Sequence, residues 1–127
     1  MPRAAVHDAL AAVERVIERE GLLVSFPVEV RVTRGDDIPL STASGRDSAY
    51  LAVHMYRGTP RYEQFFRGVE AELSAMEGRP HWGKLHYRAA ADLQPVYPRW
   101  AEFQAARDAV DPQRVFTNAY VRRVLGS

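Results

Sequence analysis

The hydrophobic period of the chain switches once in its first third, and that switch fixes the fold class. Val6, Leu10, Val13, Val16 and Ile17 recur at helical spacing with Arg and Glu between them, up to Gly21. From Ser25 to Thr33 the period becomes two: Phe26, Val28, Val30 and Val32 alternate with Pro27, Glu29, Arg31 and Thr33. A stripe on a helix and an alternation on a strand bury apolar surface in incompatible ways, so the chain must join a helix to a strand. The strand has one apolar and one polar face. Alternate residues share a face, so Glu29 and Arg31 point the same way.

Ala49 to Tyr56 reads as a second strand, with Leu51, Val53 and Met55 on one face and Tyr50, Ala52, His54 and Tyr56 on the other. In one antiparallel sheet, His54 and the tyrosines share a face with Glu29 and Arg31. The segment between the strands, Gly35 to Asp47, is rich in Asp, Ser and Gly and reads as a long surface loop of the kind that carries binding residues. Thr59-Pro60 is a helix start, and Tyr62, Phe65, Phe66, Val69, Leu73 and Met76 continue at helical spacing to Gly78 as core. Arg79-Pro80 breaks the chain. Leu93 to Tyr97 is a short helix or turn. Pro98 opens another helix along Trp100, Phe103, Arg107 and Val110, which Asp111-Pro112 stops. The tail, Val115 to Leu125, is mixed.

The order helix, strand, strand, helix, loop, helices predicts an α+β fold, a small antiparallel sheet packed by helices. A chain of 127 residues makes one domain, 1–127. Two strands make a thin sheet. A third is expected near Lys84 to Tyr87, in the tail, or in sequence beyond this chain.

Composition removes several function classes. The net charge of +1 gives no basic field for nucleic acid. Without cysteine there is no disulfide, thiolate metal site or cysteine nucleophile, and a reducing cytoplasm fits. Met1 to Leu10 has no apolar core of a signal peptide, and no stretch approaches the roughly 18 apolar residues of a membrane span. Membrane association is therefore expected only peripherally, through a partner. Neither G-x-S-x-G, a P-loop nor G-x-G-x-x-G occurs.

The run His81-Trp82-Gly83-Lys84 carries the sharpest chemistry. Its bland reading is an exposed lysine beside a buried tryptophan. Its functional reading is a cation brought to a substrate oxygen where glycine lets the backbone approach. Glu29 and Arg31 read either as a surface ion pair, worth about 0–1 kcal/mol, or as part of the same site. His54 reads as a hydrogen-bonded strand histidine or a base. His81 and His86 lack the spacing and companions of a zinc site, so no metal is expected. Asn118 is a turn residue or a contact to a partner domain.

The stretch from Val28 to Asp37, then Leu40-Ser41 and Gly45-Arg46-Asp47-Ser48, resembles the C-terminal domain of the aldonolactone oxidases, which include D-arabinono-1,4-lactone oxidase, L-gulono-1,4-lactone oxidase and alditol oxidase. Gly78-Arg79-Pro80-His81-Trp82-Gly83-Lys84, Tyr97-Pro98-Arg99-Trp100, Phe103, Arg107, Asp111-Pro112, Phe116, Asn118, Tyr120 and Arg122-Arg123-Val124-Leu125-Gly126 extend the likeness. It runs from about Leu22 to the end.

The resemblance implies the cap-domain portion of a flavoprotein of the vanillyl-alcohol-oxidase type. FAD would be held by an N-terminal domain that this chain does not contain, supplied in cis or in trans, and catalysis would need it. The substrate would be a sugar lactone or alditol, oxidised at a carbinol by hydride transfer to flavin. Glu29, Arg31 and Lys84 would be catalytic and would bind substrate with His54, while His81 and Asn118 would face the cofactor. The alternative from another class is a non-catalytic interaction module that self-associates through the surface a flavin domain would otherwise cover.

Overall fold

A computed structural model describes all 127 residues, Met1–Ser127. Helix α1 (Val6–Glu20) buries Ala9, Ala12, Val13 and Val16 along one face. It stops where the period stops. Gly21 adopts the left-handed φ of 56°, and the N–H groups of Gly21 and Leu22 donate to the carbonyls of Glu18 and Ile17. This paired return satisfies the terminal carbonyls and turns Leu22 back into the core. There Val13, Val16 and Leu22 meet Phe65 and Val69 of α2 (Tyr62–Ala75).

Strand β1 (Glu29–Thr33) pairs antiparallel with β2 (Ser48–Ala52) in the register Glu29↔Ala52, Val30↔Leu51, Arg31↔Tyr50, Val32↔Ala49, Thr33↔Ser48. The domain is α+β, with the strands shorter than their alternating runs. Leu51, Val28 and Val53 pack on the α1–α2 core. Further along the same face Val30 and Val32 stay 45% and 56% exposed, because no helix lies over the outer half of β1.

A third strand forms neither at Lys84–Tyr87 nor in the tail. The Tyr87 N–H is taken by the Glu70 side chain at 2.9 Å instead of a neighbouring strand, and the tail folds as helix α5 (Ala119–Leu125). The far side of β2 is covered instead by Met1–Arg3: Ala49 N–H donates to Met1 O, Arg3 N–H donates to Asp47 O, and Pro2 bridges Ser48.

Helix α2 starts two residues later than Thr59-Pro60 suggests. The Thr59 hydroxyl donates to Tyr56 O at 2.8 Å and closes a turn, and Arg61, at φ 64°, leads into the helix. Its end uses the same paired return as α1, with Gly78 N–H on Leu73 O and Glu77 N–H on Ser74 O. Here the left-handed residue is Glu77, at φ 57°, and Arg46 grips both its carboxylate and its carbonyl.

A second core joins the remaining elements. Leu93 of α3 (Ala90–Leu93), Tyr97, Trp100 of α4 (Trp100–Val110) and Val124 of α5 pack together, with Trp82 and Leu40 at the margin. The α4 stripe is only partly inward: Trp100 is buried, while Val110 is 82% exposed. Asp111 ends α4 by accepting the N–H groups of Val115 and Phe116 at 2.7 and 3.0 Å. No helix is long and apolar enough to cross a membrane.

Candidate functional site

The β1–β2 register brings three of the residues singled out in the sequence onto one polar face. Arg31 lies across from Tyr50 and Glu29 across from Ala52. Arg31 Nη2 donates to Glu29 Oε2 at 2.7 Å. His54, just past β2, has its Nε2 3.5 Å from the other carboxylate oxygen, Glu29 Oε1. That nitrogen is shielded from water yet has no well-formed hydrogen bond. The Phe26 ring stands 6.0 Å from the His54 ring and 4.7 Å from that of Tyr56, forming an aromatic wall beside the triad.

Stability does not explain this cluster. The Arg31 side chain is 76% exposed, and such pairs contribute about 0–1 kcal/mol. Only one nitrogen of the guanidinium is engaged, so most of its five donors face open space. Glu29 can accept hydrogen bonds from hydroxyl groups, and Arg31 can donate to oxygens beside them. This donor–acceptor set suits a polyhydroxylated molecule.

Lys84 is presented differently. Its N–H donates to His81 O at 3.0 Å, and Gly83 N–H donates to His81 Nδ1 at 3.1 Å, closing a tight turn. Trp82 anchors the turn: its indole Nε1 donates to Leu40 O at 2.8 Å, and its ring lies 5.3 Å from that of Tyr97. The Lys84 side chain is exposed and makes no hydrogen bond or ion pair. No direct bond joins it to Glu29, Arg31 or His54. The connection runs through the loop between the strands, where Leu40 holds Trp82 and the Thr42 hydroxyl bonds the Tyr50 hydroxyl at 2.8 Å, opposite Arg31. His81 is exposed at the start of the turn. Asn118 caps α5, its Oδ1 accepting from Val121 N–H at 2.9 Å.

Two features carry more of the site than their sequence signals suggest. Arg79 reads locally as part of a chain break. In the fold its Nε donates to Val96 O at 2.6 Å, and its Nη1 donates to Ser44 O at 2.8 Å and Thr42 O at 3.3 Å. Its guanidinium carbon sits 5.0 Å from the Tyr97 ring centre. Burial first, then the neighbouring Arg46, holds this guanidinium below its usual pKa, while burial pushes the Tyr97 phenol well up. Arg79 therefore ties the loop that carries Leu40 and Thr42 to the turn that follows α3. Its partners are 17 to 37 residues away, so no local pattern could show them.

The second feature is His86, which sequence spacing weighs only as a metal ligand. It is buried, with Nε2 2.9 Å from the Tyr120 hydroxyl, and burial, then Arg123, lowers its pKa.

The chain is similar in sequence to known proteins. The family model described as D-arabinono-1,4-lactone oxidase matches residues 1–124. An L-gulono-1,4-lactone dehydrogenase of Mycobacterium tuberculosis is 50% identical over 126 residues, covering 99% of this chain and 29% of that protein. An L-gulonolactone oxidase of Bos taurus is 38% identical over 129 residues, covering 98% and 29%. An alditol oxidase of a Streptomyces species is 36% identical over 125 residues, covering 98% and 30%. The chain spans less than a third of the length of these relatives.

Proposed function

Because this chain belongs to the D-arabinono-1,4-lactone oxidase family, we propose that it is the substrate-binding, C-terminal part of an FAD-dependent oxidase or dehydrogenase of sugar lactones or alditols. The observation that carries this reading is the donor set left over after folding. Arg31 keeps free N–H groups beside Glu29, and Lys84 keeps an unpaired ammonium on a rigid turn.

The chain's own groups suit the substrate better than the dinucleotide. A pyrophosphate asks for a glycine-rich loop at a helix N-terminus, and no such loop occurs here. FAD would therefore be held by a second domain, in cis or in trans, and when bound it accepts the hydride. His81 and Asn118, both close in sequence to groups that fix the Lys84 turn, would face its ring. The Asn118 side-chain N–H groups remain free of protein partners.

In this reading Arg31 and Lys84 donate to the hydroxyl oxygen of the carbon being oxidised. As the O–H proton passes to solvent, the two cations stabilise the developing alkoxide, and hydride departs more readily. Glu29 binds a second hydroxyl and keeps Arg31 oriented, so that the positive charge is never uncompensated. His54, beside Glu29, contacts a further hydroxyl. Such an enzyme works in the cytoplasm, with any membrane contact made through a partner.

Titrating the chain with FAD, alone and with an FAD-binding domain, is the first test of whether it keeps a flavin face. In the assembled enzyme, Lys84→Ala or Arg31→Ala lowers kcat by about 10²–10³ while flavin content holds, the usual loss for one charge-stabilising donor. Normal lactone oxidation by both variants refutes the site.

A second reading follows from the exposed apolar side chains of Val110, Val115 and Phe116, which match a self-associating module without catalysis. It predicts a stable dimer with no flavin or lactone affinity, resolved by analytical ultracentrifugation and calorimetry.

A further inference from the structure

Tyr120 has one hydroxyl proton and two close neighbours. Its oxygen lies 2.6 Å from Trp82 O, which can only accept, so the proton goes there. The other neighbour, His86 Nε2 at 2.9 Å, must then be the donor. This fixes the neutral imidazole tautomer with the proton on Nε2 and leaves Nδ1 as a buried acceptor without a partner. A second proton on the ring would place an N–H where nothing accepts it.

The far end of the same segment is held by the same helix. One turn after Tyr120, Arg123 donates through Nη1 to Arg88 O at 2.5 Å, with its guanidinium carbon 5.2 Å from the Tyr120 ring centre. Trp82 to Arg88 is thus an arch with both feet on α5, and His86 braces it from inside. Lys84 and Leu85 stand exposed at its crown. The Asn118 cap fixes the turn of α5 from which Tyr120 projects.

We propose that His86 and Tyr120 are positioning residues for Lys84: the relay from the buried imidazole through the Tyr120 hydroxyl to the Trp82 carbonyl holds the arch that aims the ammonium. This rests on the reading of Lys84 as a substrate-contacting cation. A cation on a four-carbon stem stabilises an oxyanion only where its backbone is fixed. Misplacement by about 1 Å can lower a rate about 10²-fold.

Tyr120→Phe tests this, since it keeps the ring contacts and deletes only the relay. In the FAD-loaded assembled enzyme, it should lower kcat by about 10–100-fold, with KM and flavin content within about twofold. In the chain alone, the Lys84 amide, bonded to His81 O, should exchange with solvent about tenfold faster, while the Val13 and Val16 amides of the core keep their protection. His86→Leu should behave as Tyr120→Phe does. His86→Gln, which can still present an N–H to the Tyr120 oxygen, should recover most of the rate and keeps the test open if His86→Leu does not fold.

Lys84→Ala separates the two levels. If it destroys turnover while Tyr120→Phe changes neither kcat nor Lys84 exchange, the positioning role is wrong and the site stands. A fall in kcat in Tyr120→Phe with Lys84 exchange unchanged also overturns the positioning role. Normal turnover in Lys84→Ala overturns both.

Discussion

Replacing Arg79 by Lys should destabilise the domain far more than its charge-conserving nature suggests. The guanidinium fork serves separate segments of chain: Nε reaches Val96 O at 2.6 Å, and Nη1 reaches Ser44 O at 2.8 Å. The third contact, to Thr42 O at 3.3 Å, is long and adds little. Hydrogen bonds from a charged donor are each worth about 1.5–3 kcal/mol net, so deleting both short ones in Arg79→Ala should lose about 3–6 kcal/mol. A lysine ammonium is a single point and cannot span both carbonyls, so Arg79→Lys should lose about 2 kcal/mol. For a domain of this size that lowers the thermal midpoint by roughly 6–10 °C. Circular dichroism melts of wild type, Arg79→Lys and Arg79→Ala measure it.

The control is Arg99→Ala. Its Nε bond to Glu102 at 2.6 Å is as short as the shortest made by Arg79, but both side chains are on the surface, and the midpoint should not move measurably. An Arg79→Lys midpoint within about 1 °C of wild type, or an Arg99→Ala shift as large as that of Arg79→Ala, refutes the premise that burial and span, not distance, set the strength of these contacts.

Two glycines separate conformational strain from crowding. Gly21→Ala pays only for the left-handed φ of 56°, with nothing within 4 Å of the new methyl, and should lose about 1–2 kcal/mol in chemical denaturation. Gly78→Ala would set its methyl 2.4 Å from the Leu73 carbonyl oxygen, which is backbone and cannot step aside, so it should lose more than Gly21→Ala. The reverse order refutes this. His86 supplies a pH dependence. Its folded pKa lies below the ordinary 6.5, so the unfolded chain takes up the proton first. Its contribution to stability is complete above 6.5 and declines as pH falls from there through the folded value. The melting advantage of wild type over His86→Gln should therefore shrink between about pH 7.5 and 5, and a constant difference refutes it.

The parts of the fold that were legible in the sequence depend on neighbours along the chain. The helical stripe ending at Gly21 became α1 with its left-handed terminus. Period-two alternation put Glu29 and Arg31 on one face, and the antiparallel register then brought His54 to them. What was not legible is decided across long separations. Met1–Arg3 has no alternation to mark it, and it joins the sheet because its backbone meets Asp47 to Ala49. Thr59-Pro60 satisfies the local rule for a helix start, yet its hydroxyl serves a turn. Arg79 and His86 acquire their roles only from partners on distant elements. Lys84 stands exposed on a tight turn closed by its N–H on His81 O, a turn the sequence did not mark, and its relation to Arg31 passes through the loop between the strands rather than a direct contact.

The sheet is lopsided. One flank of β2 is closed by Met1–Arg3, whereas the outer flank of β1 has no neighbour and all five of its residues are exposed. Any extended chain laid along that flank would do two things at once. On one side it would roof Val30 and Val32; on the other it would raise a bank beside Glu29 and Arg31, turning an open shelf into a trough. Desolvating the valines and fencing the charged triad are therefore a single event. Whatever finishes this sheet also lowers the dielectric around its polar face, which strengthens each charge–oxygen contact made there.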